Sequence, residues 1–303
     1  MRSGDAGMKY APLVSIIMPM RNSAITVEAA VRSVQGQTLE AWELIVIDDG
    51  STDHSAEIVE GIGDPRIRLV REPIGQGLAA RLNQAVELCT GQYIARMDSD
   101  DLCFPDRLSR QVERLRNEPS IDVLGCGAMV FDEAGAPVGL LPCATEHADI
   151  VRRPYVGFPL PHPTWCARAS WFRSHAYDAS LTKAEDYELM LRSFRTSRFA
   201  ALDEVLLGYR QPRLDLGKIL PGRRISMSAI WRDGVRSGKT AAAARGIAIQ
   251  CMKCVVDVVT IRFGLNYIMQ RQRLRAVPDA VVRQWAALRQ MHFRSGGASK
   301  NQN

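Results

Sequence analysis

This 303-residue chain lacks a membrane span, an internal repeat and any low-complexity run. Its long apolar stretch, 239–262, is broken by Lys253 and Asp257, so a transmembrane helix is not expected there. Seven cysteines fall at irregular spacing with no signal peptide ahead of them. That pattern points away from a disulfide framework and toward free thiols in a reducing compartment, the cytoplasm by default. Cys251 and Cys254 share one helix face and have no second pair to complete a metal site, so they read as packing residues. Gly75-Gln76-Gly77 has no Gly-Lys-Ser/Thr after it, which excludes a P-loop. With 46% hydrophobic and 24% charged residues, the chain reads as globular and is long enough for one large domain or two modest ones.

Charge is unevenly shared. Seventeen of the 39 basic residues but only four of the 33 acidic ones lie in 211–303, so that segment carries +13 and the remainder −7. A basic segment appended to an acidic one suits an anionic surface, or is a solvated helix face.

Strand and helix patterns alternate through the first hundred residues. Val14 to Pro19, Trp42 to Asp48, Arg66 to Val70 and Tyr93 to Met97 read as strands. Helices are expected over 23–34 with Ser23 or Thr26 as cap, from the Thr52-Asp53 cap to about Gly61, and over 78–89. Repeated βα units with short connections imply an α/β fold with a doubly wound, mostly parallel sheet and helices on both faces. Ligands on such sheets sit beyond the carboxyl ends of the strands, where Pro19, Asp48-Asp49 and Asp98-Ser99-Asp100 all fall. Asp98 and Asp100 leave a strand end together, roughly 7 Å apart at the outset. Such a pair repels itself unless a cation or a ribose hydroxyl takes up the charge, and hard divalent ions prefer oxygen ligands.

Beyond Pro105, where a helix with Leu108, Val112 and Leu115 inside can start, the rhythm changes. Residues 122–131 and 137–141 flank a Glu133-Ala134-Gly135 turn as a hairpin-like pair, and a proline-rich loop occupies 154–163. A strand over 164–167, a helix over 188–194 and two short strands within 199–209 follow. After Pro212 helices are expected over 218–235, 239–262, 264–276 and 278–293. Within 239–262, Gln250, Lys253, Asp257 and Thr260 recur at steps of three and four and leave a wide apolar face, suited to packing on protein or to lying in a membrane interface. The expected organisation is a loose N-terminus over 1–11, a catalytic-type domain over 12–210 and a basic helical extension over 211–303.

Five stretches in order resemble the non-processive inverting glycosyltransferases of family 2, which have the GT-A fold: 14–22, 33–38, Ile47-Asp48-Asp49-Gly50-Ser51-Thr52-Asp53, Met97-Asp98-Ser99-Asp100-Asp101 and Glu185-Asp186-Tyr187. The resemblance covers roughly 12–210. It implies that Pro19, Arg21 and Asn22 line the base and ribose, that Asp49 accepts from uracil N3, and that Arg21, where the family usually has Tyr, stacks on the base. It further implies Asp98 in the ribose or metal shell, Asp100 as direct ligand of Mn2+ or Mg2+, and Asp186 as general base. Arg81 and His162 would meet the diphosphate or donor sugar. Asp101 reads as a cap for the helix near Pro105, and the acidic 185–188 stretch also suits a helix first turn.

The Gln-x-x-Arg-Trp signature of processive synthases is missing near 210–235, which implies one sugar per encounter. The implied partners are a nucleotide-sugar donor, UDP-linked by expectation, and a glycan or lipid-linked acceptor of the cell envelope or exopolysaccharide, with no nucleic acid. The extension 211–303 would touch the cytoplasmic face of a membrane, a second copy or the catalytic domain. Two other readings are a nucleotide-sugar-binding accessory subunit without catalysis and a nucleotidyltransferase. The latter needs a Gly-rich basic loop that Met20-Arg21-Asn22-Ser23 does not supply.

Overall fold

A computed structural model describes residues 11–211, 215–264 and 274–292; the N-terminal segment 1–10 and most of the helix expected over 264–276 lie outside them. The first half alternates as its hydrophobic pattern dictates: β1 (Val14–Met20), α1 (Val27–Gln35), β2 (Trp42–Asp49), α2 (Ser55–Gly61), β3 (Ile67–Glu72), α3 (Leu78–Leu88) and β4 (Tyr93–Arg96). These four strands pair in parallel in the order β3-β2-β1-β4. Successive strand side chains point to opposite faces, and β2 divides accordingly. Leu44 and Val46 pack with Val31 and Val34 of α1, while Ile45 and Ile47 pack with Leu82 and Val86 of α3.

The sheet then becomes mixed. β5 (Leu102–Cys103), α4 (Arg107–Asn117), β6 (Val123–Phe131), β7 (Pro137–Leu140), α5 (His147–Ile150), a 3-10 turn at His162–Thr164, β8 (Cys166–Arg168), α6 (Ala169–Ser174), α7 (Glu185–Ser193) and β9 (Phe199–Arg210) complete the order β3-β2-β1-β4-β8-β6-β9-β5, with β7 on β6. The hairpin-like pair is present as β6 and β7. The two short strands expected over 199–209 are instead one twelve-residue strand, whose irregularities are taken up as register shifts against β6 at Cys126/Gly127 and Gly127/Ala128.

After Leu216 come α8 (Leu216–Arg236), α9 (Thr240–Arg262) and α10 (Asp279–His292). None of the described helices is long and apolar enough to cross a membrane. α8 is clamped to the sheet domain by Arg195, which grips Asp233 through both guanidinium nitrogens at 2.7 and 2.8 Å, while the Tyr155 hydroxyl donates to the same carboxylate. α10 is held by Trp285, packed on Phe131 and donating its indole N–H to the Gly135 carbonyl.

One buried arginine ties the elements under the rim together. Arg107 donates to the carbonyls of Arg96 at the end of β4 (2.6 Å) and of Pro163 in the 3-10 turn (2.9 Å), and is 0% exposed. Arg107→Met would leave both buried carbonyls without a donor. We expect it to lower the unfolding free energy by ~2–4 kcal/mol in a urea titration; an unchanged midpoint would show that these bonds do not hold the rim.

Candidate active site

The carboxyl ends of β1, β2 and β4 stand side by side, and loop contacts stitch them into one rim. Asn22, at φ 51°, donates its backbone N–H to the Ser51 hydroxyl and accepts from the Thr52 N–H through its side-chain oxygen. The Ser23 and Ser99 hydroxyls meet at 2.8 Å, joining the loop after β1 to the Asp98–Asp101 turn. Pro19 is buried within β1, opposite Ile47.

At the β2 end, Asp48 accepts from the Ser51 N–H and shapes the turn. Asp49 reaches the other way. It accepts from the N–H groups of Gln76 (2.7 Å) and Gly77 (3.0 Å) and from Arg81 Nε (2.7 Å). Burial pushes its carboxyl up, but the Gln76 N–H, Arg81 and the Gly77 N–H outweigh it and hold the group below the usual carboxylate range. The glycine stretch 75–77 is thus a cradle for Asp49, with Gly77 at φ 91°. A side chain at Gly75 would strike the Arg21 guanidinium, which lies 4.0 Å from Asp49 and is 57% exposed at the mouth.

At the β4 end, Asp98, Asp100 and Asp101 place carboxylate oxygens within 4.8 Å of one another. Arg96, the last residue of β4, meets Asp98 with both terminal nitrogens and is 3% exposed. Asp101 does not cap the following helix: α4 begins at Arg107 with Asp106 before it, and Asp101 instead accepts from the Arg210 N–H on β9. The other Asp101 oxygen is buried and has no hydrogen-bond partner among the described residues. Burial and the Asp98 charge push the Asp100 carboxyl up to about 6, and with Asp100 they hold Asp101 well above its ordinary range. Three crowded hard-oxygen donors, one with an orphaned buried atom, fit a divalent cation.

The first turn of α7 closes the site. Ala184 in the left-handed region (φ 57°) turns the chain so that Glu185 and Asp186 open the helix. Burial raises the Asp186 carboxyl against the opposing pull of the Tyr187 N–H and of Arg96, and the Asp98 charge raises it further. Asp186 therefore stands in the same electrostatic neighbourhood as Asp98 and Arg96.

The family model of glycosyl transferase family 2 matches residues 15–168. EpsE of Bacillus subtilis strain 168, named as a glycosyltransferase, is 36% identical over 67% of this chain and 75% of its own length. The chain belongs to glycosyl transferase family 2. Among solved structures, TarS of S. aureus in complex with UDP-GlcNAc is similar with TM-score 0.59 at 19% identity over 78% of this chain and 70% of that one. The mannosyltransferase PcManGT of Pyrobaculum calidifontis, in complex with GDP-Man and Mn2+, has TM-score 0.59 at 15% identity over 94% and 89%. At these identities the likeness establishes the GT-A fold.

Two of the residues expected at the diphosphate or donor sugar of this glycosyltransferase are enclosed. Arg81 is only 3% exposed and gives its donors to Asp49, Gln84 and the Ile74 carbonyl, so its hydrogen-bonding capacity is turned to the β2 end of the rim. His162 is likewise enclosed: its Nε2 meets the Tyr177 hydroxyl at 2.8 Å, and burial, aided by Arg96, pushes its pKa well down. A neutral, engaged imidazole offers no charge to a phosphate. Three participants were missed: Arg96, Tyr177 and Arg210, whose Nε donates to the Asp100 carbonyl. The signal for Arg96 was present, since an arginine ending a buried strand needs a carboxylate partner.

The crowding has a measurable consequence without any cation. Asp100 holds its proton more tightly in the folded state than in the unfolded chain, so its contribution favours folding below about pH 4 and is lost as pH rises through about 6. In chelator at pH ~8, Asp100→Asn should therefore be more stable than the parent by ~1–2 kcal/mol, with the gap closing near pH ~4. Melting curves at the two pH values check this; an equal gap at both would sink the crowding argument.

Proposed function

We propose that this glycosyltransferase is a divalent-cation-dependent, inverting and non-processive enzyme. It moves a sugar from a nucleotide-sugar donor, UDP-linked by our reading, to a hydroxyl of a glycan or lipid-linked acceptor in cell-envelope or exopolysaccharide assembly. The observation that carries this is the meeting of Asp98, Asp100 and Asp101 oxygens within 4.8 Å at the end of β4, beside the first turn of α7. UDP-GlcNAc in TarS and GDP-Man with Mn2+ in PcManGT, proteins of the same fold, are in keeping with such a donor and ion.

Asp49 retains unfilled acceptor capacity on the oxygen whose one hydrogen bond comes from the Gly77 N–H, with Arg21 4.0 Å from it, which suits it to a uracil N3–H. Arg21 at the mouth would lie over the base, and Pro19 and the Asn22 turn would form the floor and edge of the nucleoside pocket. Asp98, oriented by Arg96, would take a ribose hydroxyl or share the cation with Asp100 and Asp101. The bound cation would neutralise charge developing on the departing nucleoside diphosphate. Asp186 would accept the proton of the acceptor hydroxyl as its oxygen attacks C1 from the side opposite the leaving group, and a single base suffices because inversion needs no covalent intermediate. The raised pKa of Asp186 moves it toward the working range of a general base.

Separate variants divide binding from chemistry. Asp100→Ala should abolish Mn2+-stimulated hydrolysis and transfer across a panel of UDP-, GDP- and dTDP-sugars while the circular-dichroism spectrum is kept. Asp186→Asn should leave the nucleotide Kd within about twofold and lower kcat by roughly 10²–10⁴. Unaltered kcat in Asp186→Asn would remove Asp186 from the role of base, whereas nucleotide binding by the parent with no turnover of any donor would favour a binding subunit without catalysis.

A further inference from the structure

The orientation of α9 reverses what a surface helix ordinarily does. Its polar residues are turned into the protein. Gln250 is 4%, Asp257 9% and Thr260 9% exposed. Arg223 of α8 bonds both Asp257 and Gln250, and the Lys253 ammonium donates to the Val156 carbonyl at 2.9 Å. The outward side is apolar instead, with Met252 at 68%, Val255 at 63%, Val259 at 44% and Phe263 at 72% exposure. At 100° per residue these fall on one stripe, and Arg245 and Arg262, both exposed, lie on the same side near its two ends. The apolar surface continues onto α8, where Cys251 Sγ touches Met227 Sδ at 3.6 Å and Trp231 follows one turn on, half exposed.

We propose that this outer face of α8 and α9 docks on the surface of an anionic lipid bilayer. Charge selects the occupant. Over 216–262 the only acidic residues are Asp233 and Asp257; both are buried and ion-paired, to Arg195 and Arg223. The outer face therefore presents exposed arginines, Arg224, Arg245 and Arg262, around apolar side chains, with no carboxylate among them. A helix lying in a membrane interface has this make-up: apolar residues and a tryptophan to enter the headgroup boundary, basic residues to meet the phosphates. A twofold contact with a second copy would press the same arginines against one another with no acid to receive them. The inner face of α9 packs on the loop at Tyr155 and Val156, whose neighbour Pro154 accepts from Tyr187. A bilayer on the outer face thus lies about one helix diameter, ~10 Å, from the loop that supports the first turn of α7. Docking itself does not depend on the proposed donor or acceptor.

Co-sedimentation of the full chain with vesicles tests it, using phosphatidylcholine alone and phosphatidylcholine mixed with phosphatidylglycerol. The parent should bind the mixed vesicles, bind phosphatidylcholine far less, and be released by salt. Val255→Glu with Val259→Glu should reduce binding by about tenfold or more, and Arg245→Gln with Arg262→Gln by roughly fivefold per arginine. Donor hydrolysis without vesicles and the circular-dichroism spectrum should match the parent in both, which separates this result from any failure of the catalytic assignment. Absence of vesicle binding by the parent, or equal binding by parent and variants, overturns the proposal. So does a parent dimer in light scattering that Val255→Glu dissociates, which would assign the face to a second copy.

Discussion

One buried guanidinium sets the terms for the rest of the site. Arg96 ends β4 with both terminal nitrogens on Asp98 and feels the charges of Asp101 and Glu185 as well; Asp100 and Asp186 in turn feel it. A crowd of carboxylates at the edge of a low-dielectric interior would otherwise be largely protonated. Arg96 offsets part of that repulsion and not all of it, because Asp100, Asp101 and Asp186 still keep raised pKa values. The residual excess of negative charge is what makes the rim receptive to a cation. The arginine is itself fixed from behind, since Arg107 holds its carbonyl and that of Pro163 together. Backbone position at the strand end and carboxylate position above it are therefore one constraint.

The β2 end of the rim solves a different problem. There a single carboxylate, Asp49, is held ionised by two backbone N–H groups and Arg81. The two ends push their carboxylates in opposite directions by burial-plus-repulsion at β4 and by donor saturation at β2. A fixed anion suits recognition of an N–H on a neutral base, whereas crowded, proton-retaining carboxylates suit an ion that displaces those protons. The same parallel sheet carries both environments because its strand ends fall in one line while each loop brings its own partners.

The continuous apolar runs of β1 and β2, buried on both faces, and the breaks at Pro19, Asp48 and Asp98 made the α/β fold and the location of the rim legible in the sequence alone, and five stretches in order named the family. What sequence order does not convey is which partner a charged side chain meets across space. Arg81, one turn past Gly77, looked free for phosphate, yet β2 brings Asp49 into its reach. His162 was expected toward the diphosphate or donor sugar, and it is walled in by Trp165 and Tyr177. Asp101 looked like a cap because a helix follows it, but β9, more than a hundred residues later, supplies the N–H it accepts. The long strand β9 was read as two because its irregular pairing with β6 interrupts the alternation that a sequence reader counts.

The inside-out arrangement of α9 follows the same logic of partners. An amphipathic pattern specifies two faces but not which one turns inward; that depends on what waits underneath. Beneath α9 lie Arg223 and the Val156 carbonyl, both needing polar partners, so the stripe of Gln250, Lys253 and Asp257 goes in. A buried ion pair of this kind adds little net stability, but it fixes orientation, because any rotation of the helix would leave Arg223 or Asp257 buried and unpaired. The clamp of Arg195 and Tyr155 on Asp233 does the same for α8. The change in charge near residue 211 is thus a boundary in composition across which the packing is continuous. The loop Arg153–Phe158 touches the extension on one side and Tyr187 on the other, so the surroundings of Asp186 are set partly by residues that carry none of the family's motifs.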